Sequence, residues 1–414
     1  MNDTMLFQNY SIDKKYYCCP KTLCKNFSQI SYLVSHLKIL DIDVVLEYIS
    51  NNRGKIDSQN EFGWTALMIA CRNCTIEKDA KLIKLLLECG ANVNIQNNDG
   101  KTALMLLVKY SENNLDVIKL LLDNGADVNI KENSGWTALM SISVFHDKLH
   151  YVDVIKLLLE YNAEINLQSK GGWTALMLAS KYSATNTDIV KLLLDNNADI
   201  NLKNKDGWTA LTIVSLHIND KSNIGTLKLL LESGINVNHQ TNIGMTSINI
   251  ISKNSKNDNN IDAIKMLMNY GADPNIIGTD GNSSLSFLSI NNNIETILLL
   301  LDYGVDFKLN LKSSNFFSNL NFDGVIKIID RIKKIAITKN IFSCVCNDVK
   351  KYVKHLHLEP NSFSLKLISI HWHLNTGEIE KIITWENLNI FDYFGIYDID
   401  SLNLKIIDAI KYMD

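Results

Sequence analysis

Gly63-Trp64-Thr65-Ala66-Leu67-Met68 returns along the chain as Gly100-Lys101-Thr102-Ala103-Leu104-Met105, Gly135-Trp136-Thr137-Ala138-Leu139-Met140, Gly172-Trp173-Thr174-Ala175-Leu176-Met177 and Gly207-Trp208-Thr209-Ala210-Leu211-Thr212. Two weaker copies follow, Gly244-Met245-Thr246-Ser247-Ile248 and Gly281-Asn282-Ser283-Ser284-Leu285. The glycines lie 37, 35, 37, 35, 37 and 37 residues apart, and a fixed period of this length is the signature of a repeat architecture. Each unit closes on a second signature, first as Lys84 to Asn94 and then as Lys119 to Asn129, Lys156 to Asn166, Lys191 to Asn201, Lys228 to Asn238, Lys265 to Asn275 and the degraded Leu298 to Lys308.

One unit can be built from these residues. Asp-Gly at 99–100, 206–207 and 280–281 supplies a tight hairpin tip that needs positive φ. The Thr two positions after the Gly caps a short first helix, whose buried face is Ala, Leu and Met. A second helix carries the Leu triplet and ends at Gly90, Gly125, Gly234, Gly271 or Gly304, with Asn162 and Asn197 in the same slot of two units. Gly and Asn are the residues that best tolerate the left-handed C′ position, so that slot has a backbone reason. A single unit cannot bury its apolar faces alone, whereas stacked units can.

These residues resemble the ankyrin repeat: turn, Gly-x-Thr-Pro-Leu-His, helix, turn, helix, Gly-Ala-Asp-Val-Asn. The likeness covers residues 28–308, and its flavour is similar to the large ankyrin families of giant DNA viruses of the mimivirus type. It implies a mainly α fold, an ankyrin α-solenoid with a hairpin-like loop per repeat, and a small helical or mixed C-terminal domain. It also implies a partner among host or viral proteins, bound on the concave face of hairpin tips and first helices. Two departures stand out. The family's Pro is Ala at 66, 103, 138, 175 and 210, and its His is Met68, Met105, Met140 and Met177, then Thr212, Asn249 and Ser286. Met fills that space apolarly, and the array should be least rigid in its last two units, where the consensus decays. The units exceed the common length between their helices, where Ser111 to Asn114 and Ser252 to Asn260 read as solvated loops.

Around the array, residues 1–27 read as an irregular leader and 28–61 as a degenerate capping repeat, with Ser31 to Leu40 and Val44 to Ile49 as short helices. The array itself spans 62–308, with repeats starting near 62, 99, 134, 171, 206, 243 and 280. Residues 309–334 read as a decayed repeat, with Phe322 to Lys334 as its helix, and 335–414 as a separate C-terminal domain. No consensus for a ubiquitin-ligase adaptor box is evident between Leu358 and Asp400.

The chain has 414 residues, a formal net charge of −4 and 46% apolar residues, with only Arg53, Arg72 and Arg331 among 41 basic side chains. A duplex-binding protein needs a basic excess and usually Arg at base edges, so no nucleic-acid partner is expected. No stretch approaches 18 apolar residues, so no membrane partner is expected either. Asn makes up about one residue in eight, which we read as AT-rich coding bias apart from the Val/Ile-x-Asn repeat endings. The N-terminus lacks a signal-like apolar core, which together with eight unevenly placed cysteines suggests an intracellular protein, cytoplasmic in the host cell, with free thiols.

Candidate chemistry is sparse. Cys344, Cys346, His355, His357, His371 and His373 place six possible zinc ligands within 30 residues, and a hairpin turning at Pro360-Asn361 would bring the His pairs together. The standard Cys-x2-Cys framework is missing, and ordinary part-exposed His is the preferred reading. Cys71 and Cys74 have redox spacing but sit in a repeat helix, which favours a structural role. No phosphate-binding loop, His-Glu-x-x-His or Gly-x-Ser-x-Gly occurs, so neither an enzyme nor a cofactor is expected. Trp64, Trp136, Trp173 and Trp208 share one slot beside the hairpin tips, with Lys101, Met245 and Asn282 as its other occupants. Trp is enriched at binding hot spots, but packing on the neighbouring hairpin is the competing role. The expected function is a non-enzymatic, monomeric protein-binding scaffold. The alternative is an adaptor whose C-terminal region recruits a second protein, such as a ubiquitin-ligase subunit.

Overall fold

A computed structural model describes residues 47, 49–51, 53–74, 77–110, 114–144, 150–182, 187–218, 222–255 and 260–305, with six further positions between 320 and 331. Residues 1–46 and 332–414 lie outside it, and with them the leader, most of the capping repeat, the C-terminal domain and all six Cys and His zinc candidates.

Among the described residues the chain is helical and contains no strand. First and second helices alternate: α1 (Ala66–Arg72) and α2 (Glu77–Glu88), α3 (Ala103–Tyr110) and α4 (Leu115–Asp123), α5 (Ala138–Ile142) and α6 (His150–Glu160), α7 (Ala175–Lys181) and α8 (Asp188–Asp195), α9 (Ala210–Leu216) and α10 (Ser222–Glu232), α11 (Ser247–Asn254) and α12 (Ile261–Asn269), α13 (Ser284–Ile290) and α14 (Ile294–Asp302). Backbone contacts divide the chain into two units, Met1–Ser247 with Lys265–Ala272, and Ile248–Ile264 with Asp273–Asp414.

In the first unit, first helices pack on first helices and second on second. Leu67, Met68, Leu104, Leu107 and Met140 line the inner seam, with Leu86 and Leu121 on the second helices, all buried. Each such side chain contributes about 1.5–3 kcal/mol. Met in the family's His slot is thus core. The capping logic holds: Thr65, Thr137 and Thr174 accept the N–H of Met68, Met140 and Met177, and Thr209 accepts that of Thr212.

The hairpins add a second ladder. Asn98, Asn133, Lys170, Lys205 and Asn242 each donate a backbone N–H to the preceding tip, at Phe62, Asp99, Ser134, Gly171 and Asp206, over 2.9–3.0 Å. Here the anchor glycines have a second cause. A Cβ on Gly135, already at φ 84°, would lie 2.6 Å from the Lys170 nitrogen. The C′ Gly234, at φ 80°, has nothing within 4 Å, so conformation alone selects it, as Asn162 and Asn197 at φ 63° and 64° confirm.

The second unit is held differently. Asn249 Nδ2 donates to the Ile276 carbonyl (3.0 Å) while its Oδ1 accepts from Ser284 Oγ (2.9 Å). Asn291 Nδ2 donates to the carbonyls of Ser252 and Lys253, and Asn293 Nδ2 to Ser255 Oγ at 2.7 Å. This corrects the reading of Ser252 to Asn260 as a solvated loop: α11 runs to Asn254, and Ser252, Ser255 and Asn260 are buried. Asn291 satisfies backbone carbonyls there and Asn293 the Ser255 hydroxyl, whereas the buried Ser252 Oγ makes no hydrogen bond. Beyond Val305, Gly324, Lys327, Ile328 and Arg331 are helical, with Ile328 buried and Arg331 paired with Asp302 at 3.2 Å.

Candidate protein-interaction face

The residue after each anchor Gly is pinned at its backbone. Trp64 N–H donates to Asn60 Oδ1 (2.8 Å), Lys101 to Asn97 Oδ1 (2.8 Å), Trp173 to Ser169 Oγ (3.1 Å) and Trp208 to Asn204 Oδ1 (2.9 Å), while each residue's carbonyl accepts the N–H of the same partner. The next residue caps the first helix, so the slot's side chain is delivered beside that helix.

The structure leaves Trp64, Trp136, Trp173 and Trp208 half-buried. Trp64 and Trp173 each stand beside a cation from the end of the same repeat's first helix, whereas the equivalent position is Val144 in the repeat of Trp136 and Leu216 in that of Trp208. The Arg72 guanidinium lies 5.5 Å from the Trp64 ring centre and 5.3 Å from that of Tyr110 in the next repeat. Lys181 Nζ lies 5.4 Å from Trp173 and 5.5 Å from Tyr182, and Lys109 is 5.0 Å from Tyr110. Each contact is worth about 0.5–1 kcal/mol at an exposed site. Packing against its own repeat and presenting a face are therefore combined in one side chain.

Other occupants of the slot differ. Lys101 is half-buried and pairs with Asp99 at 3.7 Å. Asn282, in the second unit, is half-buried with its N–H on Asp280 Oδ1 (3.1 Å). Met245 is a correction: it is 4% exposed, an apolar side chain taken into the core, so it offers a partner no surface.

The residues that sequence reasoning missed stand nine positions after the anchor glycines: Arg72, Lys109, Val144, Lys181 and Leu216 in the first unit. All are half-buried or exposed. The signal lies in the repeat itself, where this position holds three bases and two aliphatics. The first helices α1, α3, α5, α7 and α9 carry no Asp or Glu, whereas each of α2, α4, α6, α8 and α10 carries at least one. The field at the column reaches further: burial, and then Lys181, lower the pKa of His217, while burial raises that of Tyr182.

Cys71 and Cys74 are buried free thiols, and burial raises the Cys71 thiol well above its ordinary range. Cys74 accepts from Asn114 Nδ2 at both its carbonyl (2.9 Å) and its sulfur (3.4 Å). Among the described residues no three His, Cys, Asp or Glu side chains gather in a metal-sized group.

A family model for ankyrin repeats in three copies matches residues 33–132, 74–169, 107–204, 146–241 and 216–312. The chain belongs to the ankyrin repeat family. Ankyrin repeats are protein–protein interaction modules, and this is the coarse function the fold carries. The chain is similar to two ankyrin repeat proteins of Acanthamoeba polyphaga mimivirus, L86 and L122. It is 40% identical to the first over 107 residues and 38% identical to the second over 112, or 25% and 26% of this chain. The matches cover 18% of each relative's own length. No ankyrin helix among the described residues is long and apolar enough to cross a membrane.

Proposed function

We propose that this ankyrin array is a non-enzymatic scaffold that docks a protein partner on the face formed by its hairpin tips and first helices. The observation that carries this reading is the repeated pairing of a half-buried Trp with a helix-end cation, Trp64 with Arg72 and Trp173 with Lys181. Trp and Arg are the residue types that dominate interface energetics. The anchors are pre-positioned by backbone hydrogen bonds on both sides, so docking needs little rearrangement.

In this reading residues 28–61 cap the array, 62–308 bind, 309–334 extend the stack and 335–414 form a separate domain. The protein works as a monomer inside the host cell, and the viral relatives favour a host or viral protein as partner. No cofactor, nucleic acid or membrane takes part.

The test is capture from the producing cell with the full chain and with a Trp136→Ala/Trp173→Ala double variant. The reading expects a defined partner retained by the parent protein and lost by the variant, with both melting cooperatively. Equal capture by the two would refute it.

A further inference from the structure

We propose that the helix-end column of the first unit, Arg72, Lys109, Val144, Lys181 and Leu216, binds an extended acidic protein segment whose carboxylates and apolar side chains recur every third residue. The proposal rests on the scaffold reading and specifies the partner's chemistry.

Three observations carry it. First, the first helices are free of acids: α1, α3 and α7 carry a base in their last turn, α5 and α9 carry no charge, and the acids sit on the second helices, where lysines accompany them. The chain's net charge is −4, so a cationic stripe here is a local arrangement and not a general property. Second, the cations are flanked by aromatic faces, Arg72 by Trp64 and Tyr110 and Lys181 by Trp173 and Tyr182. Such flanks exclude water and strengthen a charge-assisted hydrogen bond. Third, the column is interrupted by aliphatics, with Leu216 37% exposed and Val144 half-buried.

The spacing follows from geometry. Packed helices stand about 8–10 Å apart, and an extended chain advances about 3.3 Å per residue. One repeat therefore matches about three residues of a bound strand. A ligand reading the column would place acid, acid, aliphatic, acid, aliphatic at every third position, in either chain direction. A phosphodiester strand matches the cations but has nothing apolar for Val144 and Leu216. The hairpin tips nearby carry both signs, with Glu61, Asp99, Glu132 and Asp206 among Lys101, Lys131, Lys170 and Lys205, so their acids would repel a uniformly anionic polymer.

The test uses the full chain and a fluorescein-labelled peptide of about thirteen residues, with Glu, Glu, Leu, Glu, Leu at every third position and Ser or Gly between, in both orientations. Controls are a same-composition peptide with the spacing scrambled and a thymidine oligonucleotide of the same length. Fluorescence anisotropy should show the spaced peptide binding about tenfold more tightly than the scrambled one, with affinity falling as salt rises. R72Q and K181Q should each weaken it at least threefold, R72K and K181R less, and K84Q on α2 not at all, with every variant still melting cooperatively. Equal binding of spaced and scrambled peptides, or equal or tighter binding of the oligonucleotide, overturns the proposal. Panning an unbiased peptide library on the full chain separates the two levels. Ligands lost with W173A that carry no acidic pattern overturn the acidic segment and leave the scaffold standing, whereas an absence of any Trp173-dependent ligand removes both.

Discussion

Asn129 Oδ1 accepts the backbone N–H of Glu164, in the following repeat, at 2.8 Å. The other end of the same amide donates to the carbonyl of Asn162 at 3.1 Å. Asn94 does the same with Asp127 (2.8 Å) and Gly125 (2.9 Å), and Asn166 with Asp199 (2.7 Å) and Asn197 (3.3 Å). The Asn that ends each of these three units is thus a two-point link to the next one. In the capping turn Asp57 takes this place and accepts from Asn92 N–H at 2.9 Å, and a carboxylate can serve only the accepting half.

Asn129→Ala therefore removes two inter-repeat hydrogen bonds in a solvent-facing position, and about 1–2 kcal/mol of stability should go with them. Asn129→Asp keeps the acceptor and should lose roughly half as much. Urea unfolding of the three proteins at matched slope checks the order.

Gly135→Ala and Gly234→Ala both force alanine into the left-handed region, each at a cost of about 1–2 kcal/mol. Only the first also drives a Cβ to 2.6 Å from the backbone of the next hairpin. Gly135→Ala should lower the melting temperature at least twice as far as Gly234→Ala, and equal shifts would show that the hairpin ladder yields freely.

Much of this was legible beforehand, and for physical reasons. Turn glycines, Thr caps and C′ Asn residues encode local backbone geometry, so Gly63, Thr65 and Asn162 could be placed from the sequence. What was hidden depends on the neighbouring repeat. The close approach behind Gly135 and the links made by Asn129 are contacts between segments tens of residues apart, which local chemistry does not reveal. The Trp slot was found, yet its cations were not, because Arg72 and Lys181 look like ordinary helix-end bases until the stack brings aromatics around them. Ser252 and Ser255 misled as loop residues because the Ser252 carbonyl and the Ser255 hydroxyl find their partners in Asn291 and Asn293, far along the chain.

Asn249 occupies the slot that holds Met68, Met105, Met140 and Met177 upstream. Asn249→Met restores the apolar residue but strips the Ser284 hydroxyl of its acceptor and the Ile276 carbonyl of a donor. About 1–3 kcal/mol should be lost in chemical unfolding. A gain would mean that the polar seam of the second unit is a defect that an apolar core repairs.

His217 has a folded pKa lowered from 6.5 by burial and then by Lys181. The unfolded chain binds the proton more readily, so stability rises with pH through this window. His217's contribution is fully present above about pH 6.5 and is lost as pH falls through the depressed folded value. His217→Gln should flatten that part of the stability-against-pH curve, read by urea midpoints between about pH 5 and 8.

The scaffold claim turns on which face the partner touches. Site-specific photocrosslinking in the producing cell, with the reactive amino acid placed at Lys101, in the same slot as the Trp anchors, in one full-length chain and at Lys156 on the second helix α6 in another, measures this directly. The account predicts a discrete crosslinked protein from position 101 and none from 156. A partner captured from 156 and not from 101 would contradict it.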